Sequence, residues 1–435
     1  MVEVRIHGDS LSACAVAFEL AEVGLDVRVL LPAAGAAGSG HWPDGPVADA
    51  DGAIATLLDR IAAPISAGGT ELHGVRPVQV PPGPVFMRDA RGAWSRVPEP
   101  AVLGIPAVPV SADSLAFLPT GAAFRAYLDR VKPLLTVGKT HELGKLVRSR
   151  FGDGLFERLV APLVRERFGT VDVEVAIAAP GLNETFSRAG SLSAAVLAYS
   201  ERHARQETRV APADGWQAAR ELIMERLGHY GVEFAPSAEA AEDVVVVDAG
   251  LDALSSAANG AEAGMPPEIV EALHALRPRR LRARARALVA QAGGVDRGFA
   301  GVLDEPGAEA VLEVDAPNGD LWSVRVAAAG DGALEARLAG PATSEPGDAL
   351  ADARAALAAS GLVAEAQLVA EVRAAPFVSL AERDTARALL GAERRANGEL
   401  LVVGEALHGG DLAAAVADAV AEAIALRRRL LGISE

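Results

Sequence analysis

The chain has 435 residues, enough for two to three domains, and half of them are hydrophobic, which excludes a disordered protein. A net charge of −17 disfavours contact with phosphate backbones, so we expect no nucleic-acid partner. The single cysteine, Cys14, excludes an intrachain disulfide, and no two histidines have metal-ligand spacing. No apolar run approaches the ~20 residues of a membrane span and no secretory signal is visible, so we expect a cytoplasmic protein.

The first 31 residues have the pattern of a strand, a helix and a second strand. Alternation predicts a strand over Val2–Ile6, and apolar residues three or four apart predict a helix over Ser10–Val23. Gly24 is expected to end the helix before a second strand at Asp26–Leu31. A strand, helix and strand in this order predict a parallel sheet.

Helices and strands then alternate in blocks along the chain. Short strands are expected over Val78–Ile105, and helices from Leu115 to about Ser200, with the clearest helical pattern at Phe151–Phe168. Further along the chain, buried strands are expected at Asp243–Ala249 and Leu400–Gly404, and sheet at Leu281–Ala290 and Ala308–Val326. Helices are expected at Asp348–Ser360 and Asp411–Leu431. Because α/β units lie at both ends and in the middle, we expect the second domain to be inserted into the first.

A damaged dinucleotide fingerprint follows the first strand. The G-x-G-x-x-G pattern needs glycine at its second position so that a pyrophosphate can approach the backbone. Here the three positions are Gly8, Ser10 and Ala13, and Leu31 ends the second strand where an acidic residue should bind the ribose. An α/β unit that packs without a nucleotide therefore stays open as an interpretation, although the helix N-terminus could still attract an anion.

Five segments, in order, resemble the flavin amine oxidases and the protoporphyrinogen oxidases in particular. They are Ile6–Pro32, Val85–Ala107 with its L-G-I-P run, Arg150–Gly169, Ala211–Leu227 and Gly398–Ala423. Besides Ser10 and Leu31, one further departure is the sequence from Phe168 to Val171 (FGTV), where the family usually has Y-A-G-D. Together the segments comprise about a quarter of the chain and are spread from Ile6 to Ala423.

The resemblance implies an α/β fold, with a Rossmann-like FAD/NAD(P)-binding domain and an inserted substrate domain of mixed sheet plus helices. The binding domain is expected at 1–80, 205–262 and 375–435, and the substrate domain is expected to be helical over 81–204 and sheet over 263–374. The implied activity is FAD-dependent oxidation of a tetrapyrrole or amine-like substrate by hydride transfer to the flavin. The implied FAD-binding residues are Gly8, Asp9, Ser10, Leu11, Ser12, Ala13, Leu31, Gly404, Glu405, Gly410, Asp411 and Leu412.

Some of these residues also have purely structural interpretations. Gly409-Gly410-Asp411 opens the last helix, and Asp411 is either a ligand contact or a plain N-cap. His408 is the best-placed candidate for general acid or base, without an identifiable partner. His7 is either a satisfied polar group at the end of the first strand or a ligand contact. Cys14 is most simply a core residue.

Four arginines alternate with apolar residues near the middle of the chain. On a strand, Arg280, Arg282, Arg284 and Arg286 share one face. Three of them, Arg280, Arg282 and Arg284, are candidates for binding a substrate carboxylate. The interpretation we favour is a solvated strand face in an acidic protein.

Three hypotheses for function remain open at this point. The first, to which we lean, is an FAD-dependent oxidoreductase, and it is supported by the order of the five segments and by the retained C-terminal motif. A third, weaker hypothesis is a redox enzyme of this fold with another cofactor. The second is a non-catalytic relative that has lost FAD and acts as a subunit or binding protein. The second is favoured by Ser10, by Leu31, by the missing Y-A-G-D and by an aromatic content of only 4%. A protein partner or a homo-oligomer is compatible with the second.

Overall fold

The structure is a computed structural model. It describes residues 3–31, 42–43, 45–132, 141–203, 209–236, 244–248, 271, 275, 280–291, 299, 301–329, 333–342, 346–365, 367–396 and 400–433. The strands are β1 (Glu3–His7), β2 (Asp26–Leu31), β3 (Val47–Ala48), β4 (Pro77–Val80), β5 (Val85–Arg88), β6 (Trp94–Arg96), β7 (Ala101–Val102), β8 (Ile105–Pro106), β9 (Arg209–Pro212), β10 (Glu233–Pro236), β11 (Val244–Asp248), β12 (Leu281–Gln291), β13 (Glu309–Asp315), β14 (Leu321–Ala328), β15 (Leu334–Pro341), β16 (Leu362–Ala364), β17 (Val369–Ala374) and β18 (Leu400–Val403). The α-helices are α1 (Leu11–Ala21), α2 (Ala53–Ala62), α3 (Ala112–Phe117), α4 (Thr120–Tyr127), α5 (Leu143–Phe151), α6 (Asp153–Leu155), α7 (Ala161–Phe168), α8 (Val175–Ala178), α9 (Leu182–Ala189), α10 (Leu192–His203), α11 (Gly215–His229), α12 (Pro346–Ala359), α13 (Leu380–Ala396) and α14 (Leu412–Leu430).

The chain divides into two compact units. Unit 1 comprises Met1–Pro81, Arg205–Arg279 and Arg383–Glu435, and unit 2 comprises Pro82–Ala204 and Arg280–Glu382. Within the ranges that the structure describes, no helix has both the length and the apolar character needed to cross a membrane.

Unit 1 is built on a five-stranded parallel sheet in the order β10-β2-β1-β11-β18. The strand, helix and parallel strand predicted at the N-terminus are confirmed, with Ile6 opposite Val29 on one side and Val246 on the other. The strand predicted before the last helix is β18, which pairs with β11. Because parallel strands share a carboxyl edge, the turns after β1 and β18 open on the same edge of the sheet.

Helix α1 is buried along its whole length, which makes it the centre of the unit 1 core. All of its residues from Leu11 to Ala21 are buried, and it packs with the apolar side of α14. Its one charged residue, Glu19, forms ion pairs with Arg60 of α2 and, at 2.8 Å, with Arg427 of α14. A helix that is apolar all round is a core helix, and its buried carboxylate must be paired from within.

Unit 2 combines a sheet in the order β16-β12-β15-β14-β13-β5-β6 with the helices α3 to α10 and α12. The sheet and helix segments predicted here are confirmed, and the segment Phe151–Phe168 is helical from Asp153 to Phe168, with an interruption at Gly152 and a change of hydrogen bonding inside it. Gly152, at φ 92°, ends α5, and a π turn at Phe156–Val160 precedes α7. Pro162, in the first turn of α7, has no N–H to donate to the preceding turn, which explains the irregular hydrogen bonding.

Replacing Glu19 tests whether the buried ion pairs hold α1 in place. Glu19→Gln removes the charge that Arg60 and Arg427 share, and we expect a loss of about 2 kcal/mol in the free energy of unfolding. Glu22→Gln is the matched control, because Glu22, the C-cap residue of α1, is an exposed partner of Arg60. It should cost less than about 0.5 kcal/mol. Urea unfolding measures both. Equal losses would contradict the role given to Glu19.

Candidate functional site

The turn between β1 and α1 is where the fingerprint lies. Gly8 adopts φ 115°, and its N–H donates to the carbonyl oxygen of Leu30 at 3.1 Å. Ser10 is the N-cap of α1, and its hydroxyl oxygen accepts from the N–H of Ala13 at 3.3 Å. The hydroxyl that departs from the glycine pattern therefore caps the helix.

Asp9, between the first two fingerprint positions, is 1% exposed. Its carboxylate forms an ion pair with Arg220 of α11, and its carbonyl oxygen accepts from the indole N–H of Trp42 at 2.9 Å. Trp42 in turn lies 6.4 Å, ring centre to ring centre, from Trp216. Because Trp216 and Arg220 are one helical turn apart on α11, that helix supplies two of the side chains around the turn.

These residues do not fit the diphosphate of FAD. A diphosphate needs the N–H groups at the start of α1 and a backbone stripped of side chains, which the fingerprint glycines normally provide. Here a buried carboxylate and its arginine partner lie at the turn, and Ser10 adds a side chain at the second position. Leu31, at the end of β2, offers a ribose no hydrogen-bond acceptor from its side chain.

The turn after β18 is closer to the expected pattern. Gly409 and Gly410 have φ values of 64° and 83°, and the N–H of Gly410 donates to the carbonyl oxygen of Glu405 at 2.8 Å. Asp411 is the N-cap of α14, with its side chain accepting from the N–H of Ala414 at 3.0 Å. The structural interpretation of Asp411 as a cap is confirmed, and the two glycines supply the left-handed backbone that this turn requires. Contact between Asp411 and a ligand stays a prediction.

His408 belongs to an ion-pair cluster that the sequence did not reveal. Its Nε2 lies 3.2 Å from Oδ2 of Asp418, which also accepts from Arg394 at 2.5 Å. Burial alone would raise the pKa of Asp418, but hydrogen bonds from His408 and Arg394 hold it well below the usual range. Among the described residues, no three His, Cys, Asp or Glu side chains are grouped to hold a metal ion. An acid or base role for His408 stays a prediction.

His7 ends β1 beside the fingerprint turn, opposite Leu30 and Val247 on the flanking strands. Both ring nitrogens are buried and lack a hydrogen-bond partner within the described part of the chain. Burial, aided by the charge of Arg5, lowers the pKa of His7 to about 4, so the ring is neutral at pH 7. Within the described residues, the interpretation of His7 as a satisfied polar group therefore finds no support.

Two of the alternating arginines, Arg280 just before β12 and Arg282 within it, form hydrogen bonds with other residues of unit 2. Arg280 donates to the carbonyl oxygen of Phe168 at 2.9 Å, and Arg282 donates to those of Glu166 at 2.8 Å and Arg167 at 3.1 Å. Burial, with repulsion from Arg284, lowers the pKa of Arg282 to about 9. Arg282 is thus buried rather than solvated and closes the C-terminal end of α7, whereas Arg284 is exposed. Substrate binding by the three arginines stays a prediction.

Comparison with solved structures finds a similar fold in two oxidases and a mutase. The chain is similar to a candidate protoporphyrinogen oxidase from Exiguobacterium sp. 255-15, at 16% identity, TM-score 0.67 and coverage of 98% of this chain and 99% of that one. It is also similar to a reduced UDP-galactopyranose mutase (10% identity, TM-score 0.58, 100% and 96% covered) and to cyclohexylamine oxidase from Brevibacterium oxydans IH-35A (14%, 0.51, 99% and 99%). No protein-family model and no curated protein matches the sequence. At these identities the likeness shows the fold alone.

A double-mutant cycle tests the ion pair at the turn. We expect Asp9→Ala and Arg220→Ala to be coupled by about 2 kcal/mol in the free energy of unfolding, because Asp9 is fully desolvated. The same cycle on Arg28 and Glu233, a pair exposed at the sheet edge, serves as the control and should give less than about 1 kcal/mol. Coupling no larger than that of the control pair would show that Asp9 and Arg220 do not interact as described.

His7 should make the stability of unit 1 depend on pH. Its pKa is lowered from 6.5 to about 4 in the folded chain. The unfolded chain therefore binds the extra proton between these values, and stability falls as pH drops from about 7 towards 4. We expect His7→Leu to remove about 2 kcal/mol of the loss between pH 7.5 and 5, by urea unfolding at both pH values. The exposed His73→Leu is the control, and an unchanged pH dependence in His7→Leu would contradict the buried neutral ring.

Proposed function

We propose that this chain is a flavin-free protein with the fold of flavin oxidoreductases, and that it acts as a subunit or binding protein rather than as an oxidase. The observation that carries the proposal is the Asp9 carboxylate, buried at the β1–α1 turn and ion-paired with Arg220. Asp9 directly precedes Ser10, the N-cap of α1, and this helix end is where a cofactor phosphate binds in dinucleotide folds.

The charge of Asp9 acts directly against a diphosphate. A phosphate charge about 5 Å from the carboxylate would be repelled by about 3 kcal/mol at an effective dielectric constant of about 20. The charge of Arg220 offsets part of this repulsion while the ion pair is intact. The remainder could be relieved only by protonating Asp9 or by moving its side chain, and either change has a cost that a glycine at this position does not impose.

Two other residues, Ser10 and Leu31, further weaken the turn as a binding site for a dinucleotide. Ser10 uses its hydroxyl to cap α1, so a phosphate would compete with an existing hydrogen bond. Leu31 cannot accept from a ribose hydroxyl, and each missing charge-assisted bond costs roughly 1.5–3 kcal/mol. Since ~1.4 kcal/mol is tenfold in affinity, the three changes together support loss of the cofactor rather than a small adjustment.

An FAD-dependent oxidoreductase for a tetrapyrrole or amine-like substrate is the second candidate. The observation that favours it is the turn after β18, which keeps two left-handed glycines and a capped helix N-terminus. Bound flavin would supply the hydride acceptor in such an enzyme. The residues of this chain at that turn would then orient the cofactor by backbone N–H groups, with His408 nearby in the sequence as a polar group.

The content of flavin in the purified chain separates the two candidates. We expect a colourless protein that releases no flavin on denaturation. Added FAD should bind with a dissociation constant no lower than about 0.1 mM, a binding free energy of about −5.5 kcal/mol, because Asp9 and Ser10 place side chains at the turn. The measurements are the visible spectrum before and after denaturation and a calorimetric titration with FAD. A yellow protein with one flavin per chain would overturn the proposal and favour the oxidoreductase.

Substitutions towards the fingerprint provide the internal control. The pair Ser10→Gly with Leu31→Glu restores the glycine and the ribose acid but leaves Asp9, so we expect little gain in FAD affinity. Adding Asp9→Gly should then strengthen FAD binding at least about tenfold, which is ~1.4 kcal/mol. No gain from the third substitution would show that Asp9 is not the obstacle.

A further inference from the structure

Strand β17 (Val369–Ala374) lies at an edge of the unit 2 sheet. Among the described strands it pairs only with β12, in antiparallel register. Val369 is 47% exposed, the residues from Ala370 to Arg373 are partly exposed, and Ala374 is buried. The first five residues of β17 therefore have one side of their backbone that no described strand covers.

The pairing with β12 determines which backbone groups lie on that outer side. The N–H of Ala375, just beyond the strand, donates to the carbonyl oxygen of Arg280 at 2.9 Å. Because hydrogen-bonded and non-hydrogen-bonded pairs alternate in an antiparallel ladder, the odd-numbered residues of β17 bond towards β12. The N–H and C=O groups of Ala370 and Val372 therefore point away from β12, and no backbone hydrogen bond from a described loop or turn reaches them.

Exposed edge strands usually carry a device that prevents pairing with another chain, such as a proline, a bulge or a lysine. Strand β17 (VAEVRA) has no proline and no lysine, and its register with β12 is regular from Val369 to Ala374. Its two charged residues, Glu371 and Arg373, have opposite signs and share one face of the sheet. They form an ion pair within the strand at 2.5 Å. These charges do not exclude a second copy, because each sign can meet the other.

The two charges select one register for a second copy. In an antiparallel pair with two-fold symmetry, a register centred on Glu371 would oppose two carboxylates, and one centred on Arg373 would oppose two guanidinium groups. A register centred on Val372 places Glu371 of each copy opposite Arg373 of the other. In that register the outward N–H and C=O groups of Val372 also meet those of the second copy.

The surroundings of Arg373 favour a carboxylate on its outer side. Across the ladder, Arg373 lies opposite Arg282 of β12, which is buried. Two guanidinium groups on adjacent strands repel each other. The carboxylate of Glu371 from a second copy would offset this repulsion from the side away from β12.

We propose that two copies of the chain associate through β17, antiparallel about a two-fold axis at Val372, so that their unit 2 sheets become one continuous sheet. The charge pattern favours a second copy over an unrelated strand, because the two-fold axis forms both ion pairs with a single short sequence. The paired segment is short, so the dimer is weak and forms only at high protein concentration.

Association that depends on concentration tests the proposal. Sedimentation equilibrium of the full-length protein should show monomer at about 1 µM and dimer at about 100 µM. Hydrogen exchange at the two concentrations should be slower in the dimer at the amides of Ala370 and Val372, because these N–H groups become hydrogen-bonded. A chain that stays monomeric at about 100 µM would overturn the proposal, as would a dimer in which exchange in β17 is unchanged.

Charge reversal tests the register. Glu371→Arg opposes guanidinium groups across the axis and Arg373→Glu opposes carboxylates, so each variant should raise the dissociation constant at least about tenfold. In a mixture of the two variants, every cross-strand pair is again of unlike sign. We expect the mixed pair to associate at least about ten times more tightly than either variant with itself. Equal association of the single variants and the mixture would show that the copies do not meet at these residues.

A matched control comes from the interior of the same sheet. Glu335 is ion-paired with Arg337, two residues along β15, and β15 is flanked by β12 and β14. Glu335→Arg should therefore dimerise like the unchanged chain, and a loss equal to that of Glu371→Arg would contradict the role given to β17. Circular dichroism and thermal unfolding verify that all variants are folded. Flavin content is measured on the same preparations, so the outcome here is independent of the proposed loss of FAD.

Discussion

Burial of α1 on every side is the constraint from which the organisation of unit 1 follows. A helix enclosed by the sheet, by α2 and by α14 has no water to satisfy its polar groups, so each must find a partner inside. Glu19 is paired with Arg60 and Arg427. At the other end, Ser10 caps the first turn. The buried carboxylate of Asp9, just before the helix, also needs a partner inside the protein, and it is ion-paired with Arg220.

The fold was largely readable from short-range patterns. The alternation at β1 and β2, the helical spacing of α1 and the long apolar helix α14 all arise from residues that are neighbours in sequence. The cap at Asp411 was predictable for the same reason, since it acts on a backbone group three residues away. Ser10 caps α1 in the same way, although the sequence singled it out only as a departure from the fingerprint. The irregular turn before α7 was missed, because the apolar period continues through it while Pro162 changes the hydrogen bonding.

The candidate site could be predicted from the sequence only in part, because its decisive contacts join segments that are distant along the chain. Ser10 and Leu31 could be recognised as departures from a local pattern. Arg220 lies 211 positions from Asp9, and Trp42 lies 33 positions away, so no local pattern links them. The sequence did single out the segment Ala211–Leu227, but for its resemblance to the family and not for its arginine. For β12, alternation predicted a face of arginines, yet not that Arg282 would meet the end of α7.

The pairing of Asp9 with Arg220 also ties the turn before α1 to α11, across 211 positions of the chain. Loss of the arginine alone would leave an uncompensated negative charge in the protein interior, a change that commonly costs several kcal/mol. The two positions must therefore change together if the interior is to stay neutral, so the residue at one of them restricts what the other can be.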